Sequence, residues 1–187
     1  MKAIKTLFGG LMLAGALCLG GCTPPPPVRL PELPLADVTP YFSEAAEVQT
    51  IDTSYYLVKD AKGNVLGTVL LSAPYSTSVH GYNGPTPLLI ALDAENRIKD
   101  VVLMANQETP RFAQRVEANG FYASWNGLTV EEAMAKQVDA VSGATFTSEG
   151  VKGSLALRLE AYQRQLSKDY ASIKPSFWQR LFALRRR

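Results

Sequence analysis

Cysteine is nearly absent from this chain: Cys18 and Cys22 are the only two among 187 residues, and both lie ahead of a proline tract. The bulk of the sequence therefore has neither a disulfide nor a thiolate metal ligand. Histidine occurs once, at His80, so a histidine metal site and a Ser/His/Asp nucleophile set both lack their parts. His80 reads as a hydrogen-bonding loop residue. No Gly-x-Gly-x-x-Gly, no Walker phosphate loop and no internal repeat is found. Charge of one sign is lacking too: 19 Lys and Arg against 17 Asp and Glu give a formal net charge of +2. Nucleic acid thus has no electrostatic footprint to bind. What is present is 47% hydrophobic residues, enough for a globular domain.

The first segment stands apart from that domain. Lys2 and Lys5 precede an apolar run, Leu7 to Leu19, which is too short to span comfortably as a transmembrane helix. Leu19-Gly20-Gly21-Cys22 resembles a bacterial lipobox. The resemblance implies a signal peptide over residues 1–21, cleavage before Cys22 and lipidation of that cysteine; an ordinary signal peptide or an uncleaved anchor is the alternative. Loss of Lys2 and Lys5 would bring the net charge from +2 to about 0. Thr23 after the cysteine, rather than aspartate, is expected to favour outer-membrane sorting in a Gram-negative envelope. Residues 22–42 are rich in proline, at 24 to 27, 31, 34 and 40, and read as an extended or disordered spacer.

The folded domain is expected over residues 43–168. Ala45 to Val48 suggests a short helix. Tyr55 to Lys59 and Val65 to Leu71 flank a Gly/Asn/Asp turn and predict a β-hairpin, and Leu88 to Asp93 with Ile98 to Met104 predicts a second. These runs alternate poorly with polar residues, so much of the sheet should be covered. Arg111 to Tyr122 predicts a helix stopping at Asn119-Gly120, and Leu128 to Ala135 another, with Thr129 as its cap. Val151, Leu155, Leu159, Tyr162 and Leu166 form an apolar stripe at helical spacing and predict a long helix from about Ser148 to Lys168. Residues 169–187 end in aromatics, leucines and Arg185-Arg186-Arg187. That tail suits either an interfacial helix on an anionic membrane or a segment docked on its own domain. The fold class is α+β, an antiparallel-rich mixed sheet with packed helices in one small domain.

The stretch from Asp139 to Ser148 reads as a tight turn running into a helix start. Gly143 takes backbone angles closed to other residues, Ala144 offers little obstruction, and Thr147 and Ser148 are good caps. The first-turn amides of such a helix attract phosphate, with the Thr145 hydroxyl beside it. Two other stretches stand out. Gly81-Tyr82-Asn83-Gly84-Pro85 is a turn before a strand, and Glu108-Thr109-Pro110 is a strand exit.

As an ordered string, Asp139-x-x-Ser142-Gly143-Ala144-Thr145 resembles the flavinylation motif of the FMN-binding domain family, which includes the flavin subunits of the Rnf complex and of the sodium-translocating NADH:quinone reductase. The resemblance implies covalent FMN on Thr145 through a phosphodiester bond. It makes Asp139 a recognition position and Ser142, Gly143 and Ala144 the phosphate turn, with Thr147 in the turn that follows. Family members have a similar Gly-Tyr-x-Gly-Pro element, which implies that Gly81, Tyr82 and Gly84 lie along the flavin pocket; His80 beside them would be placed for proton exchange. They also have Glu-Thr-Pro-Gly, which brings Glu108 and Thr109 near the flavin; here Arg111 replaces the glycine. An exported flavin transferase using FAD and a divalent cation is the implied loading partner, and membrane or periplasmic redox proteins are the implied electron partners. The expected function is a lipid-anchored extracytoplasmic electron carrier. A stand-alone flavin reductase and a non-redox envelope binding lipoprotein are the alternatives.

Overall fold

The computed structural model describes residues 31–184, with side chains as far as residue 168. The lipobox, Cys22 and the side chains of the basic tail lie outside these described residues. No described helix is long and apolar enough to cross a membrane.

Five strands form one sheet in the order of the chain: β1 (Glu47–Asp52), β2 (Tyr55–Lys59), β3 (Val65–Leu71), β4 (Leu88–Asp93) and β5 (Ile98–Leu103). Every pairing is antiparallel, whereas the sequence leaves room for a mixed sheet. No helix intervenes between strands, so none of the crossovers that parallel pairing demands is present. Two turns are closed by aspartate side chains. Asp60 accepts from the amides of Lys62 and Asn64, and Asp93 from those of Glu95 and Arg97.

Side chains of β4 alternate between two cores, as the two-residue period of a strand requires. Leu88, Ile90 and Leu92 face the helices, together with Leu70, Ile98 and Val101. Leu89 and Ala91 face the other side, with Tyr56, Val58 and Val69. Burial on both faces is why this strand shows no polar alternation.

The second face is closed by a segment that reads, in sequence, as part of the spacer. Leu33, Val38 and Phe42 are buried there, and α1 (Leu35–Val38) carries the second of them. The Tyr56 hydroxyl donates to the carbonyl of Pro31 at 3.2 Å. Residues 31–42 therefore lie against the sheet, because three large apolar side chains among the prolines find a hydrophobic face to cover. In place of the short helix expected at Ala45 to Val48, Glu47 and Val48 open β1, where pairing with β2 overrides a weak local pattern, and Ala45 and Ala46 precede the strand.

On the first face lie α2 (Pro110–Ala118), a 3-10 turn (Tyr122–Trp125), α3 (Val130–Ala135) and α4 (Thr145–Leu184). The α3 cap is as expected and is a full capping box: Glu132 N donates to Thr129 Oγ1, and Thr129 N donates to the Glu132 carboxylate. The stripe Val151, Leu155, Leu159, Tyr162 and Leu166 packs into this core. Helix α4 begins three residues before the expected Ser148 and runs past Lys168.

Candidate functional site

The site lies where the start of α4, the start of α2 and the loop before β4 converge. Val141 to Ala144 form a turn closed by the Ala144 amide donating to the Val141 carbonyl at 2.9 Å. Gly143 occupies its third position at φ +76°, the place a type II turn reserves for glycine. Ser148 locks this turn to the helix: its Oγ accepts from the Val141 amide at 3.1 Å and donates to the Ala144 carbonyl at 2.9 Å. Ser148 and Thr147 were expected as caps. Both instead sit inside the first turn, fully buried, because the helix already starts at Thr145.

Thr147 points to the buried carboxylate of Glu108, to which its hydroxyl donates. The same carboxylate accepts from the backbone amides of Tyr82 at 3.0 Å and Asn83 at 2.8 Å. Glu108 is therefore a junction, tying the loop at residues 81–84 to α4 by three hydrogen bonds. The loop is closed on itself by Gly81 N donating to Gly84 O at 2.8 Å, and Asn83 Nδ2 donates to the Gln107 carbonyl at 2.7 Å. Contact is close enough here that a Cβ on Gly150 would lie 2.8 Å from Gly81 Cα, and one on Gly81 would lie 2.9 Å from the Glu108 carboxylate. Only paired glycines permit this approach of helix to loop.

In front of this junction opens a cleft of about 280 Å³ lined by Tyr82, Phe112, Gly143, Ala144, Thr145, Phe146 and Thr147. Its walls are aromatic. Tyr82 and Phe112 meet edge to face with centroids 4.8 Å apart, and Phe146 lies 6.4 Å from Tyr82. Phe146 is 68% exposed and Tyr82 58%, an unusual amount of aromatic surface left to solvent at one place. Arg111 stacks over Phe112 with its Cζ 4.8 Å from the ring centroid. The cleft thus joins flat apolar walls to a helix start. The amides of Thr145, Phe146 and Thr147 have no hydrogen-bond partner among the described residues.

One comparison with known proteins falls on this site. The family model described as FMN-binding domain matches residues 81–160, from the Tyr82 loop through the first half of α4. Over those residues the chain is similar to the FMN-binding domain family. It is 31% identical over 107 residues to a subunit of the ion-translocating oxidoreductase complex of Stutzerimonas stutzeri, covering 51% of this chain and 47% of that one. It is 23% identical over 147 residues to a subunit of the Na(+)-translocating ferredoxin:NAD(+) oxidoreductase complex of Acetobacterium woodii, covering 73% and 68%. The match thus spans about half the length of the first of these relatives. Among solved structures, NqrC of Shewanella oneidensis aligns at 20% identity with a TM-score of 0.41, over 64% of this chain and 67% of that one.

The donor set suits FMN. A cleft of this size accommodates a flat ring and not a whole cofactor, since enclosed ligand pockets run from roughly 300 Å³ upward. The polar remainder would lie toward the open helix start, where free amides favour phosphate. Of the residues expected from sequence, Tyr82, Gly143, Ala144, Thr145 and Thr147 line the cleft. Glu108 and Gly81 buttress it from behind. Asp139, Ser142, Gly84 and Thr109 do not line it; Thr109 is the backbone cap of α2 and makes no side-chain capping bond. Sequence reasoning misses Phe112 and Phe146. Phe146 leaves a trace, since the apolar stripe that starts at Val151 does not extend back to position 146, so this ring has no place in the core.

Proposed function

We propose that this chain is an envelope electron carrier that holds FMN covalently on Thr145 through a phosphodiester bond and is anchored to a membrane through lipidated Cys22. The observation that carries the reading is the position of Thr145: an exposed hydroxyl at the first residue of α4, at the mouth of an aromatic cleft, inside the segment matched as an FMN-binding domain. Loading by an exported transferase from FAD would exchange the cofactor's P–O–P bond for a bond from phosphorus to Thr145 Oγ. AMP would leave, and the hydroxyl proton would pass to a base of the transferase.

Bound FMN supplies one- and two-electron redox chemistry. The residues of this chain do the rest. Thr145 prevents loss of the cofactor where no free pool replaces it. Tyr82, Phe112 and Phe146 offer faces and edges to a flat ring, and Glu108 fixes the loop that carries Tyr82. The redox partners are read from the relatives, whose names describe subunits of membrane oxidoreductase complexes.

The test is in-gel flavin fluorescence of the denatured full chain after co-expression with a flavin transferase, beside Thr145→Ala. A fluorescent band that disappears in the variant is the expected result. A dark wild-type band, under conditions that label an established family member, would overturn the proposal.

A further inference from the structure

Helix α2 brings one more group to the site, and no motif in the sequence marks it. The guanidinium of Arg115, in the last turn of α2, lies against the backbone of Gly143: its Nη1 fills the space a Cβ on Gly143 would need. Gly143 is thus required twice, for its left-handed backbone and for the arginine packed on it. Arg115 makes no ion pair among the described residues. The neighbouring acids are accounted for or unpaired with it: Glu149 binds Lys152 at 2.9 Å, Glu108 is buried behind the cleft with its three donors, and Asp139 is exposed and bonded to neither arginine nor lysine. No residue lining the cleft carries a charge.

A cation beside Gly143 and three unpartnered amides at the start of α4 therefore lie within a few residues of Thr145, and no anion among the described residues is bonded to any of them. We propose that Arg115 is the positioning residue for the flavin phosphate, holding the phosphodiester anion at the Gly143 turn so that the ring is directed into the aromatic cleft. The proposal rests on the reading of Thr145 as the attachment site. Arginine suits this task because its planar fork, with Nη1 already against the turn, has further N–H donors to offer phosphate oxygens. Lysine can supply the charge and not the fork.

The experiment uses the full chain with Arg115→Gln and Arg115→Lys. Unloaded proteins are melted first, then incubated with a flavin transferase, FAD and Mg²⁺. Two quantities are read: the rate of covalent labelling, and the rise in melting temperature on loading, at low and high salt. The expected result is labelling of Arg115→Gln slowed by about tenfold, the equivalent of one charge-assisted hydrogen bond. The rise on loading should fall by half or more, while Arg115→Lys lies between. High salt should shrink the difference between the wild type and Arg115→Gln.

Failure of Arg115→Gln to load at all, while Arg115→Lys loads and both unloaded variants melt like the wild type, also supports the proposal. An equal rise on loading in wild type and Arg115→Gln overturns it, whatever the labelling rate. Failure of both variants to load assigns Arg115 to the encounter with the transferase and overturns it as well. A wild type that takes no flavin removes the attachment site itself, and is told apart by the behaviour of the unsubstituted chain.

Discussion

Replacing Glu108 with alanine takes away the acceptor of three hydrogen bonds, from Tyr82 N, Asn83 N and Thr147 Oγ1. The carboxylate is 6% exposed, so water does not simply take its place. Each hydrogen bond to a charged group is worth about 1.5–3 kcal/mol. Tyr82 and Asn83 are exposed residues whose amides can recover a water when the loop shifts, so the three together should amount to roughly 4 kcal/mol rather than the full sum. Thr147→Val removes one partner and should cost about 1–2 kcal/mol. Glu108→Gln keeps the shape and one acceptor oxygen but turns an NH₂ toward an amide donor, so about 2 kcal/mol is expected. In a chain of this length 1 kcal/mol moves the melting temperature by about 2–4 °C. Thermal melts should therefore rank Glu108→Ala below Glu108→Gln, with Thr147→Val nearest the wild type. The double variant Glu108→Ala with Thr147→Val should lose little more than Glu108→Ala alone, because the bond can be removed only once. Additive losses, or a Glu108→Ala protein melting within a degree or so of the wild type, would refute the junction.

The remaining expectations follow from single contacts. Gly150→Ala should destabilise by about 1–3 kcal/mol, since its Cβ would press on the backbone of Gly81 and not on a flexible side chain; a neutral melt refutes the close approach. Burial and the nearby charges of Glu117 and Glu108 push the Tyr122 phenol up to about 12, and its hydroxyl is buried with no partner among the described residues. In the unfolded chain the same phenol titrates near 10, so above that pH the unfolded state loses the proton first and stability falls until the folded group also titrates. Tyr122→Phe should therefore melt like the wild type or slightly higher at neutral pH and lose part of the stability decline between about pH 10 and 12. A large loss at neutral pH would show a missed partner. Arg111 stacks on Phe112, a wall of the cleft, where its charge would favour the anionic reduced form of a flavin held there. Arg111→Gly should lower the midpoint potential of the loaded protein, and an unchanged potential in a redox titration sinks the idea.

Much of this protein is legible in its sequence because much of its structure is decided by near neighbours. The Asp60 and Asp93 turns, the Thr129 capping box and the apolar stripe along α4 depend on residues within a few positions of one another, so spacing alone reveals them. The Ser142-Gly143-Ala144-Thr145 turn is of the same kind, and Thr145 does sit on a helix start beside a left-handed glycine. Elements whose conformation is chosen by distant partners are not legible. The weak pattern at residues 45–48 gives way to strand from Glu47 because β2 is there to pair with it. Leu33, Val38 and Phe42 read as residues of a proline spacer until the open face of the sheet gives them something to cover.

The candidate site divides along the same line. Sequence determined the chemical parts: a threonine hydroxyl at a helix start, a glycine turn, and an aromatic loop at Tyr82. Only the tertiary structure decided that Glu108, 39 residues before Thr147, would join that helix to that loop. It alone decided that Phe112 and Phe146 would gather with Tyr82 around one cleft, and that Arg115 would lie on Gly143. The reason is physical. A local turn is specified by backbone sterics over a few bonds, whereas a buried carboxylate or a guanidinium finds its partners only when α2, α4 and the loop have packed on the sheet and excluded water from the space between them.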